Sequence, residues 1–330
     1  MIQTKNDKGI QFRRKLKTIY YGFHVIWRHY TRFVRNANYN YYATEKNFMP
    51  IIVANYHVIE KIIAMPDFQF GRGKERVLVV CGDLLKYREL GFNLHNIQYI
   101  SALQAVDEYA RVHKTAGYKL DDVVQAAINR VLDGVEIPIH NQPDTTATEF
   151  FSNADASFAS FARSRHSCRS YSDKDIPMTE IKACVDLART TPTPCNRQPN
   201  KTYVLTDKKM IERVINIQGG GNGFGDKANK LVIITSRTTV FSYLEMNEAF
   251  KSGGMYAMNL LYAFHHHRIG ACPLEWGEHA HKDNSLRKIV GIPDNEEVIM
   301  LISIGYPIDE FKYVYSERDD VNDSIIVINK

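Results

Sequence analysis

Acidic residues are nearly missing from the first fifty positions of this 330-residue chain, where only Asp7 and Glu45 oppose ten lysines and arginines (5, 8, 13, 14, 15, 17, 28, 32, 35 and 46). That stretch alone carries +8 of a whole-chain net charge of +5, which leaves the remainder slightly acidic. Such an arm can meet an anionic surface, but no base-reading motif accompanies the charge, so a nucleic-acid partner is not expected. Cysteine is sparse and unpatterned. Cys81, Cys168, Cys184, Cys195 and Cys272 are odd in number and never form a CxxC pair, which argues against a disulfide framework and for a reduced cytoplasmic protein. No apolar run is long enough to span a bilayer. The segment from Met1 to Lys17 lacks the apolar core of a signal peptide. Internal repeats and low-complexity tracts are also missing. The glycine-rich stretch Gln218 to Asp226 (QGGGNGFGD) is no dinucleotide loop, because it lies between a predicted helix and a predicted strand and no G-x-G-x-x-G register fits. The consecutive His265, His266 and His267 point in three directions off a helix end, so no metal site is expected. No Ser/His/Asp context and no carboxylate pair favour hydrolysis.

What remains is an apolar fraction of 44% with abundant Tyr and Phe, a globular composition. From 13 to 35 the residues Leu16, Ile19, Tyr20, Phe23, Trp27, Tyr30 and Val34 recur at helical spacing, with Lys17, His24, Arg28 and Arg35 on a different side. Two readings stand: an ordinary amphipathic helix with a solvated basic face, or a surface for anionic lipid headgroups or lipid-linked glycans. Residues 51–64, 74–90, 98–116 and 120–133 read as further helices, broken at Met65-Pro66-Asp67 and Gly71-Arg72-Gly73. The turn-rich Asn141 to Thr146 marks a boundary, giving a helical N-terminal region over 1–145 and a second domain over 150–330. That second part alternates. Helices are predicted at 179–189, 208–218, 252–267 and, briefly, 287–290; β-branched runs KTYVLT, KLVIITS and EVIMLISI read as strands. The fold class is α+β, a sheet flanked by helices.

Two segments carry chemistry. Arg165-His166-Ser167-Cys168-Arg169 packs two guanidinium groups, an imidazole and a hydroxyl into five residues ahead of a helix, a set that suits a phosphate. Thr191-Pro192-Thr193-Pro194-Cys195-Asn196-Arg197-Gln198-Pro199 sets amides on a proline-stiffened backbone, and amides offer the donors and acceptors that a heterocycle edge requires.

Together these segments resemble the signature of the FMN-dependent nitroreductase family, whose domain opens on Arg-x-Ser-x-Arg/Lys and later carries Ser-Pro-Ser-Ser-x-Asn-x-Gln-Pro-Trp. The resemblance runs from Arg165 to Pro307. The helical first half resembles long members of the family associated with polysaccharide loci, through Tyr56 to Lys61 and Gly71 to Lys74. The resemblance implies a mostly antiparallel central sheet and a homodimer with FMN at the subunit interface. Arg165 and Ser167 would hold the phosphate with support from His166, and Arg169 would face the negative charge of the reduced ring. Pro192, Thr193, Pro194 and Asn196 would touch the flavin, and Asn222 would reach its pyrimidine edge or sit on a loop over the site. Pro273, Leu274 and Glu275 would pass flavin N5. Arg318, or failing that Lys312, would return to the phosphate. Pro194, Asn200 and Trp276 depart from the pattern. The small residues Gly253 and Gly254 suggest crowding against a second backbone or the cofactor, or simply helix capping.

The function so implied is NAD(P)H-dependent reduction of an electrophilic acceptor (nitro, quinone or conjugated carbonyl) by ping-pong hydride transfer at flavin N5, with no catalytic side chain. Two alternatives remain open: redox modification of a nucleotide sugar or glycan in polysaccharide synthesis, and a non-catalytic flavin-binding protein. The protein is expected in the cytoplasm, with an anionic membrane surface or lipid-linked glycan as a partner for residues 13–35.

Overall fold

A computed structural model describes residues 2–137, 142–242, 245–277 and 279–329, with backbone alone for residues 2–8. In chain order the elements are α1 (Ile2–Asn36), α2 (Glu45–Ile63), α3 (Lys74–Glu89), α4 (Ile97–Thr115), α5 (Asp122–Leu132), β1 (Asp144–Thr146), α6 (Ala147–Phe150) and α7 (Phe158–Ser164). There follow α8 (Met178–Ala188), β2 (Asn200–Leu205), α9 (Lys208–Gln218), β3 (Lys230–Arg237), α10 (Glu248–His266), β4 (Gly270–Glu275), α11 (Ala280–Val290), β5 (Glu296–Gly305), β6 (Glu310–Lys312) and α12 (Val321–Ser324). These divide into two compact units, each made of two chain segments: 1–37 with 173–306, and 38–172 with 307–330.

The second unit is built on α2 to α5. Their apolar positions meet in one core that includes Phe48, Ile52, Val80, Leu84, Tyr87, Val106, Tyr109 and Ile128, all essentially inaccessible. The buried tyrosines keep their hydroxyls bonded, Tyr87 to Glu45 at 2.6 Å and Tyr109 to the Arg72 carbonyl at 3.0 Å, as burial of a phenol demands. The proposed break at 71–73 is real. Gly73 sits at φ 84 directly before α3, and a Cβ there would lie 2.7 Å from Ile62, so only glycine fits. Helix α2 starts six residues ahead of its predicted start at 51. Thr44 caps it by accepting from the Asn47 amide at 3.2 Å, and Pro50, near the helix start, removes only one ladder bond. The 141–146 boundary contains a strand that the sequence reading did not see. Residues 144–146 pair antiparallel with 310–312, so the end of the chain returns to this unit; Asn141 lies outside the described residues.

The first unit holds a four-stranded sheet in the order β2-β3-β5-β4, antiparallel throughout. The three β-branched runs form β2, β3 and β5 as predicted. Strand β4 was not predicted. Its Pro273 lacks an N–H, which an edge strand tolerates. Helix α11 spans 280–290 and not merely 287–290, because Arg287 fixes its last turn to the Pro293 and Glu296 carbonyls at 2.9 and 2.7 Å.

Helix α10 packs on this sheet, and its close approach has a local cause. The β3–β5 register jumps between Ile234 and Thr235, whose partners are Met300 and Val298, so Ile299 is the extra residue of a bulge. A Cβ on Gly253 would lie 2.4 Å from Ile299. The crowding inferred from the two glycines therefore holds within the chain at Gly253, whose neighbour is the sheet. Gly254 has nothing within 4 Å. Gly253→Ala is expected to destabilise the fold by about 1–3 kcal/mol through overpacking, whereas Gly254→Ala should be neutral or stabilise by up to about 1 kcal/mol through helix propensity. Urea unfolding of the two variants checks the contrast.

Candidate functional site

In the second unit, α7 ends where Arg165 turns to extended backbone at φ −75, ψ 110. The chain then runs straight into the phosphate-suited segment. The His166 ring lies 4.7 Å from the Tyr313 ring and 5.3 Å from that of Tyr315. Burial first, then the guanidinium groups of Arg165 and Arg318, push its pKa down to about 4. Two arginines from distant parts of the sequence therefore act on one imidazole, and no carboxylate contributes to the shift. Ser167 is half-buried beside them. Lys312, the other candidate, is engaged elsewhere. Its ammonium pairs with Asp144 at 2.9 Å and Glu108 at 3.7 Å.

The following residues are pinned. Tyr171 donates to the Cys168 carbonyl at 2.8 Å, Ile308 donates to the Ser170 carbonyl at 3.3 Å, and Tyr171 bridges to Pro307. Arg169 is buried, and its charge acts on Glu60. Burial raises the Glu60 carboxyl, while His57 and Arg169 oppose that rise. His57 and Glu60 pair at 3.2 Å.

In the first unit, the loop after α8 is strained. Cys195 and Asn196 at φ 53 and Gln198 at φ 47 are left-handed without being glycine, a conformation that costs energy and concentrates at functional sites. What holds it is Arg197. Its guanidinium donates to the carbonyls of Pro194 and Val240 at 2.9 and 2.8 Å, grips Glu245 at 2.5 and 3.0 Å, and lies 5.1 Å above the Phe241 ring. The Arg197 hydrogen bonds and the Ser242 amide hold the Glu245 carboxyl at about 2. The Gln198 amide donates to the Thr193 hydroxyl at 3.1 Å. Asn196 and Gln198 are thus left exposed, and Thr193 and Gln198 open on a cleft of about 340 Å³ that reaches Asn200 and Tyr256. Neither Arg197 nor Glu245 was assigned a role from the sequence. The only available signal was an arginine set between the two amides.

The glycine-rich loop follows α9 and precedes β3, the order that excluded a dinucleotide site. Gln218 ties it to β4, donating to the Glu275 carbonyl at 2.9 Å and accepting from the Gly221 amide at 2.8 Å. A Cβ on Gly221 would sit 3.1 Å from Ile215 and 3.2 Å from Leu274. Asn222 is exposed on this loop; along β4, Pro273 and Glu275 are exposed and Leu274 is buried. Trp276 donates to Asp283 at 3.1 Å, which fixes its indole against α11. The structure therefore brings Arg165, His166 and Arg318 together in one unit. Within the other, it fastens the Asn222 loop to Leu274 and Glu275 and holds Pro192, Thr193, Pro194 and Asn196 on one clamped loop.

Residues 162–306 match the model of the Nitroreductase family. A protein of Archaeoglobus fulgidus with the provisional name NADH dehydrogenase/NAD(P)H nitroreductase is 26% identical over 159 residues, which are 48% of this chain and 89% of that protein. Among solved structures, an FMN-dependent nitroreductase of Clostridium difficile R20291 aligns at TM-score 0.45 and 19% identity, over 52% of this chain and 98% of its own. A nitroreductase-like protein of Desulfovibrio desulfuricans in complex with FMN aligns at 0.46 and 17%, over 52% and 96%.

The depressed His166 pKa has a stability consequence. The unfolded chain takes up a proton near the ordinary value of 6.5, while the folded one resists until about 4, so stability falls as pH drops through that window. Urea midpoints at pH 7 and 5 should show the loss, and His166→Asn should flatten it.

Proposed function

We propose that this protein is an FMN-dependent oxidoreductase that uses NAD(P)H to reduce an electrophilic small molecule of the nitro, quinone or conjugated-carbonyl class, in a ping-pong cycle. The observation that carries this reading is the convergence of Arg165 and Arg318 on His166. A neutral imidazole flanked by two guanidinium groups suits a dianionic phosphate, and Ser167 adds a short donor. When bound, FMN supplies the hydride chemistry at its N5.

The chain's own residues supply grip and charge. Arg165, Ser167 and Arg318 hold the phosphate, with His166 donating once an anion has offset the neighbouring arginines. Arg169, already buried, places a cation toward the pyrimidine side of the ring. Its charge acts on the buried Glu60 carboxyl of the same unit. Thr193 and Asn196, presented by the Arg197–Glu245 clamp, and Asn222, on the loop anchored by Gln218, offer polar contacts to the ring edge. Pro192 and Pro194 stiffen the loop. Pro273, Leu274 and Glu275 bring edge-strand backbone alongside. No side chain reacts covalently.

The resemblance implies that the ring-side loop is supplied by a neighbouring subunit, so that two copies would share two sites. We therefore include a homodimer in this reading, with α10 at its centre, where Phe250 and Met255 are about half exposed. A second reading, redox modification of a nucleotide sugar or glycan, keeps the same cofactor residues and differs only in the acceptor.

Purified protein mixed with FMN should turn yellow and bleach on anaerobic addition of NADH or NADPH; a colourless protein that takes up no FMN sinks the reading. Arg165→Ala and Arg318→Ala should each weaken FMN binding by about tenfold or more, the loss of a charged hydrogen bond. The His166 pKa, followed by NMR, should rise on addition of FMN. Sedimentation equilibrium should give twice the chain mass.

A further inference from the structure

The helix α1 divides into three sectors. At 3.6 residues per turn, Gly22, Val25 and His29 fall together. This sector meets the rest of its unit: Gly22 is buried beside Met246, and His29 lies 3.1 Å from the Asn247 side chain. The second sector carries Phe12, Leu16, Phe23, Trp27, Tyr30 and Phe33 on an arc of roughly 120°. These six are 50–74% exposed, so the fold does not use them for its own core. The third carries Arg13, Arg14, Lys17, Arg28, Arg32 and Arg35 on an adjoining arc of roughly 100°, all exposed. Lys15 borders the apolar arc on its other side. No acidic residue occurs between Lys8 and Ala43.

We infer that α1 docks the protein onto an anionic phospholipid surface, with the aromatic stripe sunk among the acyl-chain ends and the arginines and lysines at headgroup level. This goes beyond the redox reading and does not depend on it. The choice of occupant follows from charge. A second α1 would set like charges beside like charges along both edges of the stripe. Protein interfaces also favour fewer lysines and a matching acidic rim. Anionic headgroups provide negative charge along the whole helix, and the boundary beneath them accepts Trp, Tyr and Phe. With 35 residues the helix is about 50 Å long. Yet no described helix is apolar enough to cross a bilayer, which makes it a helix that lies in the interface.

The test uses the full chain and flotation with vesicles of phosphatidylcholine alone or with one-third phosphatidylglycerol. The protein should float with the anionic vesicles at least about tenfold more strongly than with neutral ones, and lose most of that preference when salt is raised from about 0.05 to 0.5 M. Phe12→Glu/Phe23→Glu and Arg13→Glu/Lys17→Glu should each cut partitioning tenfold or more, with far-UV dichroism unchanged. The chain has two tryptophans, so Trp276→Phe leaves Trp27 as the reporter, and its emission should shift to the blue on anionic vesicles only. Equal partitioning to neutral vesicles, or none to either, overturns the inference. So does a Phe12→Glu/Phe23→Glu variant that falls from dimer to monomer with its vesicle binding intact, an outcome that assigns the stripe to a second copy. Because the readout needs no flavin, failure here leaves the cofactor reading standing, and the converse also holds.

Discussion

One buried carboxylate holds the sheet in register. Glu296 opens β5 at 1% exposure, and its oxygens accept from Lys201 and Tyr203 of β2 at 2.5 and 2.9 Å and from Thr235 of β3 at 2.6 Å. Burial alone would raise this group, but those three hydrogen bonds and the Lys201 charge outweigh it and keep the carboxyl ionised. Lys201 and Tyr203 are two apart and share one face of β2. A slip of one residue would turn both away and strand an unpaired charge inside the sheet, which costs several kcal/mol. The register of three strands is thereby fixed by polar chemistry at a place where apolar alternation alone would leave it loose.

That register matters because β2 begins immediately after the strained loop. Asn200, its first residue, pairs with Ser236, and the Arg237 amide donates to the Pro199 carbonyl at 2.9 Å. The exit of the loop is thus set by the sheet, and its middle by the Arg197–Glu245 clamp. Between the two anchors, three non-glycine residues are forced to positive φ. Strain of this kind persists only where the surroundings over-determine it. The result is a pair of amides, Asn196 and Gln198, presented outward on a backbone with little freedom left.

Much of this was legible in the sequence where the signal is local. Helical spacing located α2 to α5 and α8 to α10, and β-branched runs located β2, β3 and β5, because burial on one or two faces imprints a period on nearby residues. Strand β4 escaped because GACPLE has a proline and no branched run, and its edge position makes that acceptable. The three-residue strands β1 and β6 are too short to carry any period. At the candidate site, RHSCR was visible as a cluster of donors. Arg318 was placed only by a loose likeness of spacing, and its neighbourhood with His166 depends on the chain returning after β5. Arg197 with Glu245, and Gln218 with Glu275, were illegible. Each joins residues nearly fifty or more positions apart, and nothing in the local composition of one names the other.

The ladder between β1 and β6 joins residues 144–146 to 310–312, and everything from 173 to 306 is spelled out between them. The helical unit therefore has a gap in its sequence wide enough to hold most of another unit. On the ribosome, α2 to α5 can collapse early around their own apolar core. Their strand β1 must wait for its partner until β6 has emerged. Arg318 follows β6, so it can join Arg165 and His166 only after the whole insert has been made.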